Sequence, residues 1–99
     1  MDRFLVGFDD LDLNDFESAV RAERHRQNAK WGVQRHSWVE WMSVLGEEVG
    51  EACQAANRLH WSSDWVYDTD RLREFRAELV QIAAVCAAII EHIDDRLAE

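Results

Sequence analysis

The sequence predicts an all-α protein, a helical bundle of three long helices per chain. Three observations carry that prediction. The 99 residues include no proline, so no ring geometry breaks a helix interior. Apolar residues recur at steps of three and four across two long stretches, about 38–60 and about 70–97. The segments between the helical patterns are short and polar.

Residues 1–13 read as an irregular arm, in which Phe4, Leu5, Val6 and Phe8 offer apolar surface to the body or to another subunit. Residues 14–99 read as one helical domain. Asn14 with Glu17 resembles a capping box, so helix one is predicted to start near Asp15. It carries Phe16, Ala19, Val20 and Glu23, then the polar run "RHRQNAK", with Gly32 as its terminator. Ser37 with Glu40 is a stronger start signal. Trp38, Trp41, Met42, Leu45, Val49, Ala52, Cys53, Ala56 and Leu59 follow as one apolar stripe. "HWSSDWVYDTD" interrupts the period and reads as a connection. Helix three is predicted from near Asp70, with Leu72, Phe75, Leu79, Ile82, Val85, Cys86, Ile89, Ile90, Ile93 and Leu97 on its face.

That third helix is apolar over a wide arc, and a chain this short buries limited surface by itself. A homodimer or homotetramer that completes a four-helix-type bundle is therefore expected. Ala83, Ala84, Ala87 and Ala88, with Gly46 and Gly50 on helix two, permit close helix approach. Five tryptophans, Trp31, Trp38, Trp41, Trp61 and Trp65, exceed what a small core needs, so an interface or a planar ligand is expected for some of them.

The formal charge of −9 opposes general attraction to nucleic acid or to an anionic membrane surface. It does not oppose an anionic ligand bridged by a divalent cation. No segment reaches the roughly 18 apolar residues of a membrane span. The apolar run in "MDRFLVGFDD" is too short for a signal peptide, so a soluble cytoplasmic protein is the expectation. Cys53 and Cys86 follow no ligand spacing and read as buried free thiols.

"LGEEVGEA" gathers three glutamates and two glycines inside helix two. At about 100° per residue, with Leu45 toward the core, Glu48 lies near −60°, Glu51 near −120° and Glu47 near −160°. Glu48 therefore flanks the apolar stripe, Glu51 stands beside it and Glu47 faces away. On helix three, Glu78 points along the stripe of Ile82, Val85 and Ile89. An unpaired carboxylate there costs several kcal/mol or titrates to neutral, roughly, unless a cation meets it. Gln81, one turn on, offers a carbonyl oxygen. If helices two and three run antiparallel, Glu48, Glu51, Glu78 and Gln81 converge. An all-oxygen set suits Mg²⁺ or Mn²⁺ better than zinc. A solvated acidic face, or pairing with Arg71 and Arg76, is the plainer alternative.

"GEEVGEA" followed by "AELVQIAAV" resembles the MazG-like family of all-α nucleoside triphosphate pyrophosphohydrolases, whose hallmark is Glu-Glu-x-x-Glu on one helix and Glu-x-x-Asp on a later one. The run "ERHRQNAKWGVQRHSWVEWMSVLGEEVGEA" is similar to a small single-domain branch from bacteria and phages. The likeness spans residues 20–93, roughly. It implies Mg²⁺-dependent hydrolysis of the α–β phosphoanhydride of a (d)NTP to monophosphate and pyrophosphate, and a nucleotide-pool house-cleaning role. It assigns Glu47, Glu48, Glu51 and Glu78 to catalysis, with Glu48, Glu51, Glu78 and Gln81 on the metal. Gln81 stands where the hallmark has Asp, and a neutral amide ligates a hard cation more weakly. Glu47 is expected to orient water or hold a further ion.

Phosphates beyond the metal need cations. Lys30 and Arg35 flank the "WG" turn, Arg58 is seven residues after Glu51, and Arg71 is seven before Glu78. For each, a surface charge is the alternative. Trp31 and His36, with Gln27 and Asn28, are candidates for holding the base. Trp38 and Trp41 read as core or interface. A catalytically weak nucleotide- and metal-binding relative, and a helical interaction module with solvated glutamates, are the two rival functions.

Overall fold

Three helices are present among the described residues: α1 (Leu13–Trp31), α2 (Trp38–His60) and α3 (Thr69–Leu97). The computed structural model describes residues 13–32, 34–62 and 68–99. The arm predicted for residues 1–13 falls outside them except for Leu13, and so does Trp65 in the second connection.

Local sequence sets the ends of the helices. Gly32 takes φ +72°, a left-handed value that glycine adopts without Cβ strain, and its N–H donates to Asn28 O at 2.8 Å. The capping box ahead of α2 is complete. Glu40 N donates to Ser37 Oγ at 3.1 Å, and Ser37 N donates to Glu40 Oε1 at 2.8 Å. That backbone donor holds the Glu40 carboxyl below its ordinary value. Asp68 caps α3 by accepting from Arg71 N at 3.1 Å. α1 is already helical at Leu13, so Asn14 lies inside the helix rather than before it.

α1 and α2 each pack against α3 and not against one another. The pairings fix the directions. Glu51, past the middle of α2, meets Glu78, and Trp41, near its start, meets Val85 and Ala88, so α2 and α3 run antiparallel. α1 runs the same way as α3: Ala22 and Glu23 share a hollow with Ala77 and Val80, and Asn28 and Trp31, further along, share one with His92 and Asp95. The result is an up-down-up bundle with a furrow between α1 and α2, floored by α3.

The core is small. Trp41, Val85 and Ala88 form its centre, with Val44, Leu45 and Ile89 against them. Ala52, Ala55 and Ala84 are buried where the helices come close. Several positions on the predicted stripes face outward instead. Trp38, Met42, Val49, Leu72, Leu79 and Ile90 are each 44–58% exposed. The reading of both cysteines as buried thiols is corrected as well: Cys53 is exposed and Cys86 half-buried. One neighbouring helix covers a narrower arc than the apolar stripes span. Gly46 and Gly50 also differ from expectation, since a Cβ on either meets nothing within 4 Å. Among the described residues, therefore, no helix presses on them.

Candidate functional site

Glu48, Glu51 and Glu78 do converge. One carboxylate oxygen from each lies within 4.8 Å of the others. α2 supplies two of them at i, i+3 spacing and α3 supplies the third. Oxygens on opposite sides of a Mg²⁺ ion stand about 4.2 Å apart, twice its usual 2.1 Å bond. The trio's oxygens, at most 4.8 Å apart, thus exceed that span by no more than about 0.6 Å, and could supply three of the six positions of an octahedral ion.

The electrostatics fit a site that awaits positive charge. The Glu48 carboxyl is pushed above its ordinary value, first by burial, then by the charges of Glu51, Glu78, Glu23 and Glu47. Glu78 is also raised, by burial first and next by the charge and hydrogen bonding of Glu51, with Arg58 opposing. Gln81 completes the group. With its amide nitrogen turned inward it donates to Glu48 Oε2 at 2.8 Å and to Glu78 Oε2 at 3.2 Å. The same side chain turned over presents its carbonyl oxygen, so it serves two carboxylates without an ion and can ligate with one. Gln81→Asp removes that donor and adds a fourth charge. We expect this variant to melt at a lower temperature in EDTA and to bind Mg²⁺ more tightly by calorimetry. An unchanged titration places position 81 outside the ligand shell.

The raised carboxyls set a pH dependence. A carboxyl raised on folding contributes stability that is complete below its unfolded value, near 4.5, and is lost as pH rises through the folded value. The ion-free site is thus expected to gain stability as pH falls from neutral into that window. Glu23 works the other way. Arg26 hydrogen-bonds it and holds it below its ordinary value, so its stabilising share is lost only at more acid pH. Melts in EDTA across mildly acid pH test this, with Glu48→Gln as the control. The variant should flatten the rise, and an unaltered profile contradicts the assignment.

A cleft of about 430 Å³ opens beside the trio in the furrow between α1 and α2. Its walls include Gln27 and Trp31 from α1, His36 from the joint, Trp41, Glu47 and Glu48 from α2, and His92 from α3. Glu48 thus belongs both to the acidic trio and to the cleft. Three of the residues expected to hold a base, Gln27, Trp31 and His36, face this one space, and Asn28 joins them. Glu47 is exposed on the cleft edge, outside the trio.

The expected phosphate-binding cations distribute differently. Lys30 stacks over the Trp31 ring at 4.9 Å and, like Arg35, stands outside the cleft walls. Arg71 Nη1 lies 3.0 Å and Arg58 Nε 3.6 Å from Glu74 Oε2. Glu74 therefore already draws both charges, although Arg58 still acts on Glu78. Trp61, 78% exposed, packs edge-on against His60 and stands on the surface.

Other residues of the site were not foreseen. Glu23 of α1 acts on Glu48, accepts from Arg26 Nη2 at 2.6 Å and from Gln27 Nε2 at 3.1 Å, and brings Arg26 toward Glu48. Its signal was present: Glu23 follows Phe16 and Ala19 on the apolar face of helix one. His92 had no such signal. Comparison with protein-family models, with curated proteins and with solved structures matches this chain to none of them.

Proposed function

We propose that this chain is a metal-dependent nucleoside triphosphate pyrophosphohydrolase, acting on the α–β phosphoanhydride of a (d)NTP. The observation that carries the reading is Glu48's double membership: it belongs to a three-carboxylate trio and to the wall of an aromatic-lined cleft. The resemblance of residues 20–93, roughly, to the MazG-like family supports the same assignment.

Glu48, Glu51 and Glu78, with the Gln81 carbonyl, would hold Mg²⁺ or Mn²⁺; such an ion, when bound, neutralises phosphate charge and lowers the pKa of a coordinated water. The chain's own residues supply the rest. Gln27, Trp31 and His36 hold the base in the cleft, and Glu47 on its edge orients the attacking water. Water adds to phosphorus, the anhydride P–O bond breaks, and pyrophosphate leaves with the electron pair. The water's proton passes to Glu47 or solvent. Phosphate contacts fall to Lys30 in the last turn of α1, to Arg35 on the joint and to Arg58, whose charge acts on Glu78. Arg71 has the weakest claim, being drawn to Glu74 at 3.0 Å.

Incubation with a panel of dNTPs and Mg²⁺ tests the reading. Equal release of monophosphate and pyrophosphate supports it. Thermal stabilisation by nucleotide without turnover points to a sensor, and neither result to an interaction module. We also propose a homodimer or homotetramer, supported by the exposed Trp38, Met42, Val49, Leu79 and Ile90. Light scattering should give at least twice the 11.6 kDa chain mass; a monomer refutes it. No helix among the described residues is long and apolar enough to cross a membrane, and a cytoplasmic location is part of the same proposal.

A further inference from the structure

The two ring nitrogens of His92 both face backbone carbonyl oxygens. Nδ1 is 2.7 Å from Ala88 O, and Nε2 is 3.1 Å from Gln34 O. A carbonyl oxygen only accepts. A neutral imidazole has one N–H, so in either tautomer one lone pair would press against one of these oxygens. Two carbonyl partners at these distances call for an imidazolium with both nitrogens protonated.

The contact to Gln34 spans from the end of α3 to the joint between α1 and α2. It belongs to a closed circuit. His36 Nε2 and Gln34 Oε1 lie 3.0 Å apart. The His36 ring stands edge-on to Trp41 at 4.8 Å, and Trp41 in turn lies tilted against His92 at 5.2 Å. All four residues line the cleft. Other charges of the cleft are Glu91 and Asp95 from α3, Glu47 and Glu48 from α2, and Arg24 from α1, which is paired to Glu91. Acidic groups thus outnumber Arg24 around the cleft.

We propose that His92, carrying two ring protons, is a positioning residue that latches the α1–α2 joint onto α3 and so fixes the far wall of the cleft. Loss of one proton removes the donor to one carbonyl. The bond to Ala88 lies within the helix, whereas the bond to Gln34 crosses from α3 to the joint, so the joint is the part released. His36 and Trp41 then shift, because Gln34 holds the first and His36 packs on the second. The latch does not depend on the phosphoanhydride reading.

The test is nuclear magnetic resonance of the ¹⁵N-labelled chain without metal or nucleotide, with His92→Gln identifying the His92 signals. At mildly acid pH both His92 ring nitrogens should show the protonated class of shift. As pH rises, loss of one proton should coincide with movement of the Gln34 amide and the Trp41 indole N–H, which is buried and has no acceptor among the described residues. His92→Gln should abolish that movement, and a His36→Gln background should retain the movement of the Gln34 amide, which His92 reaches directly. One ring proton at every pH where the chain is folded overturns the proposal. So do Gln34 and Trp41 signals that stay fixed while His92 loses its proton.

Discussion

Glu51→Gln and Glu78→Gln are each expected, on the proposed pyrophosphohydrolase reading, to lower turnover by about a thousandfold, the loss that follows removal of one preorganised charge-stabilising group. The amide keeps the size of the side chain and removes the negative charge that a cation requires. Neither residue is in the core: Glu51 is exposed and Glu78 half-buried. The helical circular dichroism should therefore match that of the parent. The charge repulsion that raises Glu48 and Glu78 also falls when Glu51 is neutralised, so the metal-free variant should melt no earlier than the parent. Mg²⁺ should no longer raise its melting temperature. Rates within a few-fold of the parent in either variant would remove the trio from the chemistry.

The largest effect on stability is expected at Trp41. It is the only large aromatic side chain buried among the described residues, at 4% exposure. It joins Val85 and Ala88 at the centre of the core and carries His36 and His92 on its ring. Truncation of a buried Trp to Ala costs about 3–5 kcal/mol, against a total stability of about 5–15 kcal/mol for a native domain. Trp41→Ala should therefore lower the thermal midpoint by more than about 10 °C, or leave the chain unfolded at room temperature. Trp38→Ala is the matched control, because Trp38 is 48% exposed; in the isolated chain its effect should be much smaller. Equal losses in the two variants would show that the outward face of α2 is as buried in solution as the core is, as a tight oligomer would make it.

These two positions show how legible the molecule is. Trp38 and Trp41 lie on the same stripe at i, i+3, and periodicity ranks them alike. Only the position of α3 decides that one is core and the other surface. The acids behave in the same way. Glu48, Glu51 and Glu78 were readable as a set because their rotation about each helix follows from the 3.6-residue repeat. Their approach to within 4.8 Å also needed the antiparallel offset of two helices, which no local pattern contains. Arg58 and Arg71 share the right faces, yet Glu74 lies between them and draws both charges.

By itself, then, the sequence determined what acts within about four residues along the chain: three helices, the Ser37–Glu40 box, the Gly32 stop, and the acidic face of α2. Those features are set by hydrogen bonds and rotations internal to one helix. Tertiary structure decided everything that depends on how far one helix slides and turns against another. It chose Trp41 for the core, exposed Cys53, set Gln81 between two carboxylates, and drew Glu23 of α1 toward Glu48. His92 reached Gln34 O across 58 positions of chain. Such contacts follow from packing three apolar faces together, and that packing is a property of the assembled helices rather than of any one of them.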